Sequence, residues 1–114
     1  MNAVTQTQLP PDFELPEIPA PIGFGQKHDQ GKARCDLLPP HAVLEVAKVL
    51  TFGAVKYAPN NWRKVPDALD RYLAAALRHQ LAYMTGELND PESGLPHLAH
   101  AACCLMFILE LEHE

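Results

Sequence analysis

Apolar residues along the 114-residue chain recur at helical spacing in three stretches, separated by short polar loops. In the first, Val43, Val46, Ala47, Leu50, Ala54 and Tyr57 form one stripe, with Glu45, Lys48 and Phe52 on another side. Pro40 suits the opening turn of this helix, and Pro59 closes it. The second stretch runs from about Asp67 to Thr85, with Leu69, Leu73, Ala76, Leu77, Gln80 or Leu81, and Met84 as its expected core stripe. Ala74, Ala75, Ala76 and Ala82 are small enough for close helix approach, and Gly86 is a natural stop. The third runs from about Leu95 to His113, with Pro96 in its first turn, and is apolar almost all round. Such a helix must be buried on several sides. In a three-helix chain of this size, a partner subunit has to supply one of them. No alternating strand pattern and no internal repeat appears. The pattern predicts a small all-α fold, a three-helix bundle completed by homo-oligomerisation as a dimer or tetramer.

The N-terminal region reads differently. Residues 1–26 hold Pro10, Pro11, Pro16, Pro19 and Pro21, five of the eleven prolines, a density that helices and strands do not tolerate. An extended arm is expected there, with Phe13, Leu15, Ile18 and Phe24 able to dock on a neighbour, followed by the all-α domain over 27–114. The balance of 9 basic and 14 acidic residues, net −5, argues against non-specific nucleic-acid binding. Cys35, Cys103 and Cys104 have neither disulfide-framework nor zinc-clip spacing, so the adjacent pair is expected to act as small hydrophobes in a reducing cytoplasm. The longest apolar run is too short to span a membrane, and the first residues do not read as a signal peptide.

The chemistry concentrates between Arg78 and His100. His97 and His100, three apart, share a helix face that Cys104, Phe107 and Leu111 continue. Just before them lie Glu87, Asp90 and Glu92, in a loop bounded by Gly86 and Gly94. Converging carboxylates repel one another without a cation, and imidazole is a common divalent-metal ligand. Glu87, Asp90, His97 and His100 are therefore the expected metal ligands; His79, Glu87 and Asp90 are the candidates for catalysis. The plainer reading is an acidic turn beside hydrogen-bonded core histidines. Arg78 offers a guanidinium fork to phosphate, or else an ion pair to Asp70, Glu87 or Asp90. Between the first two helices, Lys56, Asn60, Asn61 and Trp62 combine a cation, amide groups for a base edge and a ring that can stack on a base, though Trp62 could equally be a core residue. Lys32 and Arg34, near Gly31, form a candidate phosphate clamp without P-loop spacing.

Taken together, Gly31-Lys32, Asp36-Leu37-Leu38-Pro39, Phe52-Gly53-Ala54-x-Lys56-Tyr57-x-x-Asn60-Asn61-Trp62, Arg78-His79, Gly86-Glu87-x-x-Asp90-x-x-Ser93-Gly94 and His97-x-x-His100 resemble the phage dATP/dGTP diphosphohydrolase N-terminal family. That family is tied to the MazG-like and MazZ all-α nucleoside triphosphate pyrophosphohydrolases. The resemblance spans about residues 28–112. It implies hydrolysis of a purine deoxynucleoside triphosphate, dGTP foremost, to the monophosphate and pyrophosphate with Mg²⁺ or Mn²⁺. One departure matters: the Glu-Glu-x-x-Glu step of MazG-like enzymes is missing here, and Arg78-His79 and His97-x-x-His100 stand where acidic motifs would fall. Ligands must then come from His79, Glu87, Asp90, His97, His100 and Glu45, a set that favours Mn²⁺ or Co²⁺ over Mg²⁺. The expected mechanism is attack of hydroxide on the α phosphorus, with Lys32, Arg34, Lys56 or Arg78 offsetting charge. Open alternatives are another bond choice and a non-enzymatic helical module closed by a structural metal.

Overall fold

The computed structural model describes residues 11–12 and 25–114, so the expected arm, with Phe13, Leu15, Ile18 and Phe24, lies outside the described residues. The chain divides into two units, Met1–Leu38 and Pro39–Glu114. In the first, Cys35–Leu37 makes one 3-10 turn, and Arg34 donates to both Asp36 oxygens at 3.0 and 2.7 Å. Lys32 belongs to this unit as well.

The second unit holds three helices: α1 over Pro40–Lys56, α2 over Ala68–Met84 and α3 over His97–His113. Asn61–Lys64 adds a 3-10 turn between α1 and α2. Each boundary has a local cause. Pro39 and Pro40 start α1 without needing amide donors. Asn60 sits in the left-handed region, φ 64°, which asparagine tolerates, and turns the chain into the 3-10 segment. Gly86, φ 105°, carries it out of α2. The third helix begins two residues later than its apolar pattern suggests. Leu95 is held in the preceding loop, where its carbonyl accepts the Asp90 amide at 2.8 Å. Pro96 then caps α3, its carbonyl accepting the amides of Ala99 and His100.

Helix α3 is the spine. Both α2 and α1 pack on it, α2 the more extensively. Val49, Ala99 and Cys103 form the core with Val46, Leu95 and Phe107 around them. Among the described residues no α-helix or strand adds a further layer, and no helix is long and apolar enough to cross a membrane. Burial pushes the Cys103 thiol up to about 12 and raises Cys104 as well, so both remain protonated.

The helix faces differ from the expected stripes. On α1 the buried residue is Val49, whereas Val43, Ala47, Leu50 and Tyr57 of the expected stripe are exposed. On α2 the face against α3 carries Tyr72, Ala75, Ala76 and His79, and Ala76 is 1% exposed. Of the expected stripe, Ala76 is thus inward and Gln80 half-buried, whereas Leu69, Leu73, Leu77, Leu81 and Met84 point outward, 41–76% exposed. The reason is steric. A helix with two apolar faces turns its smaller one toward the neighbour whose backbone approaches most closely, here α3 with its own Ala101 and Cys104. Among the described residues the leucine face has no partner. On α3, Leu98, Leu105 and Leu109 likewise remain exposed, at one-face spacing.

An aromatic group ties the 3-10 turn to the spine. Trp62 stacks on Phe107 with centroids 4.5 Å apart and planes 9° from parallel, and Tyr72 meets Phe107 edge-on at 5.1 Å. The Tyr72 hydroxyl donates to the Trp62 carbonyl at 3.2 Å. Trp62→Ala is expected to lower unfolding free energy by about 2 kcal/mol, through a half-buried ring and its stacking partner. Urea titration measures it, and an unchanged midpoint would make the ring dispensable to the fold.

Candidate active site

The loop from Thr85 to Pro96 is built around Asp90. Its Oδ1 accepts the amides of Glu92 at 2.8 Å and Ser93 at 3.1 Å, and its carbonyl accepts Gly94 N–H at 2.7 Å. Gly94, φ 72°, makes that closure without strain. The His97 amide donates to Leu88 O at 3.0 Å and joins the loop to the start of α3. With Oδ1 occupied, Oδ2 is left for His79, 3.9 Å away.

Three groups converge. His79 comes from α2, His97 from the first turn of α3 and Asp90 from the loop, each offering an atom within 4.8 Å of the other two. His79 Nδ1 and His97 Nδ1 are 2.8 Å apart. His97 Nε2 lies 2.6 Å from Glu87 Oε1. An ionised carboxylate only accepts, so His97 carries its hydrogen on Nε2 and donates it to Glu87. Its Nδ1 lone pair then faces His79, whose Nδ1–H donates to it. Two nitrogens held about 2.1 Å from one cation stand roughly 3 Å apart, so an opening of a few tenths of an ångström accommodates an ion in place of the bridging proton. Two nitrogens and a carboxylate oxygen suit a borderline divalent cation. Glu87 then stands behind His97 as its orienting carboxylate, a recurrent partner of histidine ligands.

His100 is placed otherwise. Its ring stacks on His79, centroids 4.6 Å apart and planes 12° from parallel, and its Nε2 lies 2.7 Å from Ser93 Oγ. Burial lowers the pKa of His79, and the His100 and His97 rings lower it further against the pull of Asp90. Burial lowers His100 too. Burial raises Asp90, but the amides of Ser93 and Glu92 with the two imidazoles outweigh it and leave the carboxyl below its ordinary value. Imidazoles kept neutral and a carboxylate kept ionised are the protonation states a cation needs.

These shifts set a pH dependence. Both histidines bind protons less readily folded than unfolded, so between the lowered values and the ordinary 6.5 the unfolded chain holds more protons. Stability without metal is expected to be level above about pH 7 and to fall as pH drops below 6.5, with Asp90 adding a further loss only below the carboxylate value of 3.8. Urea midpoints measured from pH 8 to 5 test this; a midpoint that rose on acidification would contradict it.

Of the expected substrate contacts, Lys56 pairs with Glu92 at 2.5 Å, which brings a cation to the Asp90 loop. Arg78, Asn60, Asn61 and Trp62 line an open cavity of about 1330 Å³ among α1, α2 and α3. One face of Trp62 lies on Phe107, and the Arg63 guanidinium sits 4.3 Å from the ring centre, so the indole offers an edge rather than a free face to that cavity. Lys32 and Arg34 belong to the first unit. Glu45 pairs with Lys48 at 2.8 Å. Residue spacing gives Ser93 no role beyond its place in the Gly86–Gly94 motif, and its seven-residue offset from His100 is the available signal.

The family described as dATP/dGTP diphosphohydrolase, N-terminal, matches residues 23–114. The chain belongs to this family. It is 45% identical over 87 residues to a protein of Salmonella phage PMBT28 named dATP/dGTP diphosphohydrolase, a match covering 76% of the chain and 29% of that relative. The chain thus spans under a third of the length of the curated relative it matches. No solved structure matches it. The matched family segment contains all of α1, α2 and α3, and with them the whole His79–Asp90–His97 cluster.

Proposed function

We propose that this chain hydrolyses purine deoxynucleoside triphosphates, dGTP foremost and dATP as well, to the monophosphate and pyrophosphate with a divalent cation. The observation that carries the reading is the convergence of His79 Nδ1, His97 Nδ1 and Asp90 Oδ2; the open cavity is lined by other residues, of which Arg78 is the chain neighbour of His79. The relative's name supports the substrate class. Mn²⁺ fits the nitrogen-rich set best, with Co²⁺ and Mg²⁺ as the other ions to try. A divalent ion bound there supplies a Lewis acid for phosphoryl oxygens and a lowered pKa for a coordinated water.

The chain's own residues supply the rest. His79, His97 and Asp90 hold the ion, and Glu87 keeps the His97 hydrogen on Nε2 so that Nδ1 faces inward. Lys56, held at the loop by Glu92, and Arg78 are the cations placed to offset charge on a triphosphate. Asn60 and Asn61 present amide groups to a base in the cavity. The phage relative points to action in the cytoplasm of a bacterial host.

Assembly is part of the proposal. The outward stripe of Leu69, Leu73, Leu77 and Leu81 on α2 and that of Leu98, Leu105 and Leu109 on α3 form apolar surface of the kind that marks an interface. A second copy of the chain is the simplest cover, giving a homodimer or tetramer.

Incubation with each common deoxynucleoside triphosphate and Mn²⁺, followed by separation of products, tests the reaction. Deoxynucleoside monophosphate and pyrophosphate from dGTP are expected. Inorganic phosphate or tripolyphosphate would assign a different bond, and no product from any nucleotide would overturn the reading.

A further inference from the structure

Two histidines flank His79, and they differ in what their nitrogens do. His97 presents a lone pair to His79. His100 presents a ring face to it. The difference traces to Ser93. Its Oγ accepts the Leu95 amide at 3.1 Å, and that amide can only donate. Among the described residues His100 Nε2, at 2.7 Å, is the acceptor within reach of the hydroxyl, and we take the hydroxyl hydrogen to point there. A neutral imidazole has a single lone pair. Spending it on Ser93 places the ring hydrogen on Nδ1 and leaves neither nitrogen of His100 free for a cation.

We propose that His100 is a positioning residue rather than a metal ligand: Ser93 locks it in the Nδ1–H tautomer, and its face holds the His79 ring in the orientation that aims Nδ1 at His97 and Asp90. This rests on the metal reading of the cluster. The stack is close and nearly parallel, 4.6 Å and 12°, and a neutral ring there avoids placing a second positive charge against the cation His79 would bind. Ser93 is itself fixed, since its amide donates to Asp90 Oδ1. One short loop therefore sets the carboxylate directly and the His79 imidazole through its neighbour. His-x-x-His here is not a paired-ligand motif; its first histidine ligates and its second supports.

Mn²⁺ affinity, read by electron paramagnetic resonance of the free ion, separates the roles. The double variant His100→Phe with Ser93→Ala keeps an aromatic face, has no nitrogen to ligate and leaves no unpaired hydroxyl. It should bind Mn²⁺ within about threefold of wild type, whereas His100→Ala should lose roughly 10–100-fold, as outer-shell losses do. His79→Phe should lose binding altogether. A double variant as defective as His79→Phe would overturn the proposal and make His100 a ligand. A second measurement needs no metal. Long-range ¹H–¹⁵N correlation spectra should show His100 as Nδ1–H with an unprotonated Nε2, and as a tautomer mixture in Ser93→Ala. A protonated Nε2 in the wild type, or an unchanged tautomer in Ser93→Ala, would also overturn it. Failure of the wild type itself to bind Mn²⁺ would instead remove the metal reading, and the spectra would still decide for or against the Ser93–His100 lock.

Discussion

His97→Ala is expected to weaken Mn²⁺ binding and to lower dGTP turnover, each by more than about 100-fold, a larger loss than outer-shell changes produce. His97 is 4% exposed and bridges two partners, His79 at 2.8 Å and Glu87 at 2.6 Å. Its removal takes away one nitrogen and releases the other histidine from its place. Asp90→Asn should match it in metal binding while leaving the loop amides a carbonyl oxygen to donate to. Glu87→Gln should fall between, with affinity roughly 10–100-fold weaker, because the carboxylate orients His97 and does not itself complete the cluster. Circular dichroism must show retained helix in each variant. Undiminished turnover of His97→Ala would remove the cluster from the chemistry.

The second large effect concerns assembly. Leu73→Glu with Leu77→Glu places two carboxylates in the outward stripe of α2, 41% and 56% exposed in the single chain. Burying even one unpaired carboxylate at an interface costs at least about 3 kcal/mol, more than 100-fold in Kd. The double variant should elute as a 12.6 kDa monomer by light scattering where the wild type is a dimer or tetramer. A monomeric wild type at micromolar concentration, or a variant that assembles as the wild type does, would contradict the proposed interface.

The three helices were legible because their apolar periods and flanking Pro and Gly residues agree: Pro40 opens α1, and Gly86 follows α2 with a positive φ that only glycine adopts easily. The inward faces were legible only in part. The expected stripe on α2 held both Leu73 and Ala76, and Ala76 is the buried one, because close approach to α3 rewards small volume. Such a choice depends on the neighbour, and residue spacing within one helix does not contain it. At the site, composition alone marked the Asp90 loop and the histidines, since carboxylates and imidazoles seldom gather without a purpose. Their division of labour was hidden. Whether Glu87, His97 or His100 offers a lone pair depends on which atom each hydrogen bond uses, and hydrogen bonds to Ser93 and Glu87 decide it. Trp62 shows the same limit: its loop suggested a base platform, and its stacking on Phe107 arises from a residue 45 positions away.

The central claim is that His79, His97 and Asp90 together hold a divalent cation. Electron-spin-echo modulation of Mn²⁺ bound to the ¹⁵N-histidine-labelled protein addresses it directly. Coupling to two imidazole nitrogens is expected, falling to one in His97→Ala at whatever Mn²⁺ concentration still loads the site. Mn²⁺ bound with no nitrogen coupling, or with coupling unchanged by His97→Ala, would contradict the account.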